Sequence, residues 1–419
     1  MPSFHGVHYK KSSTATDFSQ MGSDIDGESA GDFSGKSLSL NSDGTIVAIG
    51  AYYNDGNGTD AGHVRVYEWN SGSSSWVQKG SDIDGEAAND YSSWDVSLSS
   101  DGTIVAIGAL NNDGNGSNSG HVRVYEWNSG SSSWVQKGSD IDGEAVGDKS
   151  GNSVSLSSDG TIVAIGAYEN DGNGFFSGHV RVYEWNSGSS SWVQKGSDID
   201  GEAVGDKSGN SVSLSSDGTI VAIGAFLNDG NGTRAGHVRV YEWNSGSSSW
   251  VQKGSDIDGE TVNNNYSGFS VSLSSDGTIV AIGAYLNDGN GSNSGHVRVY
   301  EWNSGSSSWV QKGSDIDGEA ADDNSGYSVS LSSDGTIVAI GAWQNDGNGS
   351  NSGHVRVYEW NSGSSSWVQK GSDIDGEGAD DRSGNSVSLS SDGTIVAIGA
   401  YVNDGNGSGA GHVRVYKFQ

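Results

Sequence analysis

The feature that most constrains this chain is a nine-residue segment that returns seven times. Gly62-His63-Val64-Arg65-Val66-Tyr67-Glu68-Trp69-Asn70 recurs almost letter for letter, its histidine standing at His63, His121, His179, His237, His296, His354 and His412. The steps are 58, 58, 58, 59, 58 and 58 residues, the odd one arising from a single inserted residue between Glu260 and Tyr266. So regular a period marks a solenoid or a closed ring, in which a unit too small to bury its own apolar face stacks on its neighbours. Length alone, 419 residues, suggests about three domains. The repeat replaces that estimate.

Within one unit the apolar pattern is that of strands. Ser153-Val154-Ser155-Leu156-Ser157 alternates, and Ser158-Asp159-Gly160 supplies a tight turn. Thr161 to Ala167 is apolar on both faces and reads as a strand sandwiched between sheets. After the turn-rich Tyr168 to Gly174, the signature segment His179 to Trp185 forms a third strand, with Val180 and Val182 on one face and His179, Arg181, Tyr183 and Trp185 on the other. Trp192 to Lys195 is the fourth. No stretch has a helical apolar period. Four antiparallel strands, named A to D, repeated seven times predict an all-β seven-bladed β-propeller, since a ring leaves only short, protected sheet edges.

The chain ends predict how the ring closes. Strands B and C of the last unit, Thr394 to Ala400 and His412 to Tyr416, have no strand D after them, whereas Asp17 to Glu28 matches Ser75 to Glu86 with Phe18 in place of Trp76. The N-terminal strand should therefore complete the last blade, with Asp17 to Gln20 against His412 to Tyr416. That organisation gives one propeller over residues 17–419 and an extension over residues 1–16, available for self-association.

Ser150-Gly151-Asn152-Ser153-Val154 and Ile162-Val163-Ala164-Ile165-Gly166-Ala167 resemble the FG-GAP repeat of integrin-α-type propellers. The resemblance implies a propeller fold and an adhesive or binding role. It departs from the family in its Ser before the Gly, in the Tyr, Leu, Phe or Trp after Gly-Ala where the family has Pro, and in an A-to-B loop cut to Ser-Asp-Gly. The family's calcium loop lies there, so that site is not carried over.

Charge and composition exclude several classes. The formal net charge of −32 makes nucleic acid an unsuitable partner. There is no cysteine, hence no disulfide, thiolate site or Cys nucleophile. No run approaches the ~18 apolar residues of a membrane span.

Two sets of residues are candidates for binding. The loop Asp140-Ile141-Asp142-Gly143-Glu144 places three carboxylates at alternate positions around a glycine, an arrangement that can offer several of the oxygens calcium takes. The candidate Ca2+ ligands are thus Asp24, Asp26 and Glu28; Asp82, Asp84 and Glu86; Asp140, Asp142 and Glu144; Asp198, Asp200 and Glu202; Asp256, Asp258 and Glu260; Asp315, Asp317 and Glu319; and Asp373, Asp375 and Glu377. The seven histidines, one per unit, read instead as ties between strands or blades. The second set comes from the positions that vary between units, which fall in the B-to-C and D-to-A loops on one face of the ring: Trp94, Phe175, Phe176, Phe269, Tyr327 and Trp343 are its large aromatics. Aromatics in loops expose apolar area that a partner would cover. Those following Gly-Ala have an alternative role as fillers between blades.

Ser, His and Asp recur in sevenfold register, whereas catalysis needs one asymmetric constellation, so an enzyme is not expected. The expectation is a non-enzymatic extracellular or cell-surface module that binds a glycan or protein through the variable face, with a structural, self-assembling repeat protein as the alternative.

Overall fold

The computed structural model describes residues 16–260 and 264–419. The proposed N-terminal extension and its part in self-association lie, but for Thr16, outside the described residues. The described chain forms seven antiparallel sheets in a ring with no helix, as the repeat predicts. In one blade, strand A is Ser150–Leu156, B is Ile162–Ala167, C is His179–Asn186 and D is Ser191–Gln194, paired in that order. A two-residue segment, Ile199–Asp200, also pairs with the start of strand C, His179 opposite Asp200. From sequence this segment reads as part of a loop. Its pairing matters because it pins the acidic residues against the histidine.

The core lies between blades. Ile104, Ala106, Val122 and Val124 of one blade meet Val154, Leu156, Val163 and Ile165 of the next, and equivalent clusters repeat around the ring. Strand B is buried along its whole length because it has a blade on either side. Strand C is split. Its first four residues are buried and its outer half alternates, with Tyr183 and Trp185 partly covered.

The ring closes through the N-terminal strand. Phe18, Ser19 and Gln20 pair with Phe418, Lys417 and Tyr416, and Ile25 and Asp26 with Val413 and His412. The first contact is therefore two residues further along strand C than expected, because every strand D takes the outer half of its partner. In the other six blades that pairing sets two tryptophans face to edge, such as Trp185 and Trp192, and the second indole N–H donates to the preceding blade, Trp192 Nε1 to the Lys137 carbonyl at 2.7 Å. Phe18 has no such donor. Instead Asp17 accepts hydrogen bonds from the backbone N–H and the hydroxyl of Ser372, both at 2.9 Å.

Strand A of every blade lines the central channel. At its far end a single circuit of backbone hydrogen bonds joins all seven blades: Ser42 N–H donates to Ser100, Ser100 to Ser158, and so on through Ser216, Ser275 and Ser333 to Ser391, which donates back to Ser42. The distances are 2.8–3.0 Å.

Candidate functional site

At the opposite end of the channel the same strands begin with residues that differ from blade to blade. Lys36, Trp94, Asn152, Asn210, Phe269, Tyr327 and Asn385 ring a cavity of about 320 Å³, with Asp95 and serines such as Ser153 and Ser211 just below. The ring has two sides. Phe269 and Tyr327 lie 4.9 Å apart between centroids, and Lys36 holds its ammonium 5.5 Å from the Trp94 ring and 5.7 Å from that of Tyr327. Across from them the amides work in series. Asn152 Nδ2 donates to the Asn210 carbonyl at 2.9 Å and Asn210 Nδ2 to the Phe269 carbonyl at 3.0 Å. Each amide keeps a second N–H and an oxygen for further bonding.

Asp95 breaks the sevenfold register. Its sister residues are Ser37, Ser153, Ser211, Ser270, Ser328 and Ser386. Ser153 Oγ accepts the Val212 N–H of the next blade at 3.0 Å; in its place Asp95 Oδ2 accepts the Val154 N–H at 2.8 Å and Oδ1 its neighbour Val96 N–H at 3.0 Å. Burial is the largest influence on its carboxyl and raises its pKa to about 6, against the opposing pull of these hydrogen bonds and of Lys36. The backbone beside it is also exceptional. Ser93 has a φ of 74° where the six sister units carry glycine, for example Gly151 at 85°. A serine held there costs roughly 1–2 kcal/mol. Ser93 is buried, and its hydroxyl has no hydrogen-bond partner.

The six aromatics picked out by the sequence divide into two groups. Trp94, Phe269 and Tyr327 line the cavity, and Trp343 stacks behind Tyr327 at 5.1 Å, sandwiched by the Arg382 guanidinium at 4.9 Å. Trp343 follows Gly-Ala, and its sisters Tyr52 and Leu110 are buried between blades, so this position fills the scaffold. Phe175 and Phe176 stand away on the rim, stacked on each other at 3.9 Å, with Phe175 60% exposed.

The acidic loops are arranged differently from the one-loop site their spacing suggests. In the loop Asp82-Ile83-Asp84-Gly85-Glu86, Asp82 Oδ2 lies 3.9 Å from Nδ1 of His63, in its own blade, whereas Glu86 reaches Nδ1 of His121 in the next blade at 3.9 Å. The short pairing of Ile83–Asp84 with strand C causes this split, because it turns the loop across the blade boundary. The same division holds for Asp140 and Glu144 and for Asp198 and Glu202, each Glu facing the following histidine. Asp24 and Asp26 gather with His412, while Glu28 faces His63. Asp142, Asp200, Asp258 and Asp317 sit in the segment paired with strand C, where burial and the neighbouring Asp raise their pKa values. Asp256, Asp315 and Asp373 accept from Gln252, Gln311 and Gln369. Glu319 lies 3.9 Å from His354. Glu377 faces Arg414, Asp375 lends its carbonyl to the same arginine, and Glu260 is held by Asn287.

The architecture defines a seven-bladed propeller with one asymmetric channel mouth. The FG-GAP repeat model matches residues 250–300 and 312–358, in agreement with the short motifs. No curated protein matches the sequence. Among solved structures it is similar to a Bacteroides uniformis protein assigned as a 6-phosphogluconolactonase, at 12% identity over 81% of this chain and 85% of that one, with a TM-score of 0.57. A periplasmic gluconolactonase of Pseudomonas aeruginosa gives 15% identity, 81% and 84% coverage and a TM-score of 0.55. Hydrazine synthase of Kuenenia stuttgartiensis gives 13%, 93% and 95%, and 0.53.

At these identities the likeness establishes the fold. It also corrects the functional expectation: rings of this kind include proteins named as lactonases, so the fold is no ground for a non-enzymatic adhesion module or an inert assembly protein, and neither reading is retained. Strict sevenfold register is the ground for excluding catalysis, and Lys36, Ser93, Trp94 and Asp95 break it. The signal is present in the sequence as Ser93-Trp94-Asp95 against Gly-Asn-Ser in the third unit. What the sequence does not convey is that Lys36 and Asp95, in different units, share one cavity.

Proposed function

We propose that this protein is a hydrolase that opens a small, hydroxylated cyclic ester, of the sugar-lactone class, in the cavity at the variable mouth of the channel. The observation that carries the reading is Asp95, the one carboxylate in a ring of serines, with its pKa lifted to about 6 inside a cavity of about 320 Å³. A carboxylate with that pKa is ionised at neutral pH yet more basic than an ordinary aspartate, which suits a general base. In the proposed reaction Asp95 takes a proton from water as the water oxygen bonds to the lactone carbonyl carbon. Lys36 stabilises the oxyanion that forms there. The ring C–O bond then breaks and the proton passes from Asp95 to the departing ring oxygen, leaving the open hydroxy acid. Trp94, Phe269 and Tyr327 offer faces for the C–H side of a sugar ring, and Asn152 and Asn210 offer amides for its hydroxyls. The likeness to proteins named as gluconolactonases supports the choice of substrate class.

The test is hydrolysis of glucono-δ-lactone, measured against its spontaneous opening, by the full chain and by Asp95→Ser. Serine is the residue of the six sister units, where its hydroxyl bonds the next blade either by accepting an N–H, as Ser153 does, or by donating to a carbonyl, as Ser211 does, so the variant is expected to fold. The expected result is a rate above background that falls about 10²–10⁴-fold in the variant. A wild-type rate equal to background, or a variant as fast as wild type, overturns the proposal.

A further inference from the structure

The geometry points to a second kind of site, repeated around the ring and separate from the channel: a divalent transition-metal site at four or more of the blade boundaries, built from one histidine, one glutamate and one aspartate. Clusters of this kind surround His63 with Glu28 and Asp82, His121 with Glu86 and Asp140, His179 with Glu144 and Asp198, and His237 with Glu202 and Asp256.

Three observations support it beyond the gathering of acids. First, each histidine is almost wholly buried, at 1% exposure, and turns Nδ1 toward the acids: His63 Nδ1 stands 4.0 Å from Glu28 Oε2 and 3.9 Å from Asp82 Oδ2, beyond hydrogen-bond reach of either. An imidazole nitrogen with no hydrogen bond, facing two carboxylates, can donate its lone pair to a cation. Second, the remaining carboxylate oxygen of each acid has its own neighbour. Gln78 Nε2 donates to Asp82 Oδ1 at 2.6 Å, and the Arg65 guanidinium faces Glu28 Oε1 as an ion pair at 3.8 Å, without a hydrogen bond. The same pairs recur at Gln194 with Asp198 and at Arg181 with Glu144. Outer partners that tie one oxygen and aim the other are what fix metal ligands in place. Third, the spacing is near what an ion needs. Ligands about 2.1 Å from a common ion lie about 3.0–3.4 Å apart, so the half-exposed glutamate and the aspartate each have to close on the histidine by about 0.5–1 Å.

Two carboxylates against one arginine leave each cluster net negative. The nitrogen donor selects zinc, cobalt or nickel over calcium, which prefers oxygen alone. Such an ion joins units, since Glu28 precedes the first blade's strand C while His63 and Asp82 belong to it. The boundary at His296 differs: Asn287 Nδ2 holds Glu260 Oε2 at 2.8 Å and leaves the histidine facing Asp315 alone at 3.8 Å.

The test is titration of the full chain with Co2+, followed by visible absorption and calorimetry, alongside Ca2+ and the triple variant Glu86→Gln, Glu144→Gln, Glu202→Gln. These glutamates are more than two-fifths exposed, so the variant is expected to fold. Its control is Glu126→Gln, Glu184→Gln, Glu242→Gln, which removes glutamates paired to lysines outside the clusters. Expected are at least four Co2+ per chain, a cobalt band of a nitrogen- and oxygen-ligated ion, a higher melting temperature with metal, and loss of about three ions in the triple variant with no loss in the control. Absence of saturable Co2+ binding, Ca2+ binding tighter than Co2+, or an unchanged stoichiometry in the triple variant overturns the proposal.

Discussion

The two mouths of the channel are made from the two ends of the same seven strands, and they could hardly be more different. At one end stand seven leucines and a circuit of seven serines; at the other the equivalent positions hold lysine, tryptophan, phenylalanine, tyrosine and three asparagines. The uniform end is where backbone joins backbone: each serine N–H is committed to the next blade, and the Ser-Asp-Gly turn leaves no slack for a different conformation. At the variable end the strands are already in register, so side chains can change without moving the frame. The comparison teaches where a symmetric scaffold tolerates asymmetry, and the pocket with Asp95 is found there.

The largest effect is expected from removing the chain through Glu28, which strips Phe18–Gln20 from the edge of the last blade and should degrade both mouths together. Thermal denaturation should show a melting temperature lower by about 10 °C or more. A melt unchanged by the truncation would mean that the circuit of serines holds the ring without the N-terminal strand.

Acid should separate the cavity from the frame that holds it. The buried histidines have folded pKa values depressed from 6.5 to about 4, so their contribution is complete above pH 6.5 and is lost as pH falls toward 4, where the unfolded chain binds protons that the folded chain resists. Asp95 titrates earlier, near 6. Lactone opening should therefore fade through pH about 6 while circular dichroism still reports a folded ring, and the fold should fail nearer pH 4. Coincident loss of both would show that the rate reports unfolding alone.

Lys36→Met should lower hydrolysis about 10–100-fold without shifting the melt, because the ammonium faces the cavity and rings rather than a packed blade. Ser93→Gly should act in the opposite direction on stability, raising it by roughly 1 kcal/mol by relieving the left-handed serine. A destabilised Ser93→Gly protein would show that the serine is not strained. The smallest change is expected at the uniform mouth: Ser158→Ala removes a hydroxyl contact of 2.8 Å to Ser216 but keeps the backbone bond, costing at most about 1 kcal/mol and leaving hydrolysis untouched.

The fold was legible because a period of 58 residues, strand alternation and a displaced strand D each constrain the same answer. The direction of the variable face was legible too, since strands of a blade alternate in direction. Pairing across blades was not. Glu86 reads as a partner of Asp82 and Asp84, its neighbours in the chain, and only the ring shows that it faces His121. Asp95 escapes notice for the opposite reason: in a strand read for apolar alternation, Asp and Ser occupy the same polar slot, and nothing local says that this slot opens into a cavity shared with Lys36.

Near-identical units pose a difficulty for the chain as it folds. Any strand D could join almost any strand C with the same contacts, so pairings that skip a unit, or that join two molecules, are nearly degenerate with the correct one. The closing blade carries a distinguishing mark. Phe18 meets Phe418 at 5.1 Å where every other blade matches tryptophan with tryptophan, and Asp17 reaches Ser372 with bonds that no internal strand D makes. The two ends of the chain thus recognise each other by a different key from the one that joins the units between them, and that difference allows the protein to count to seven.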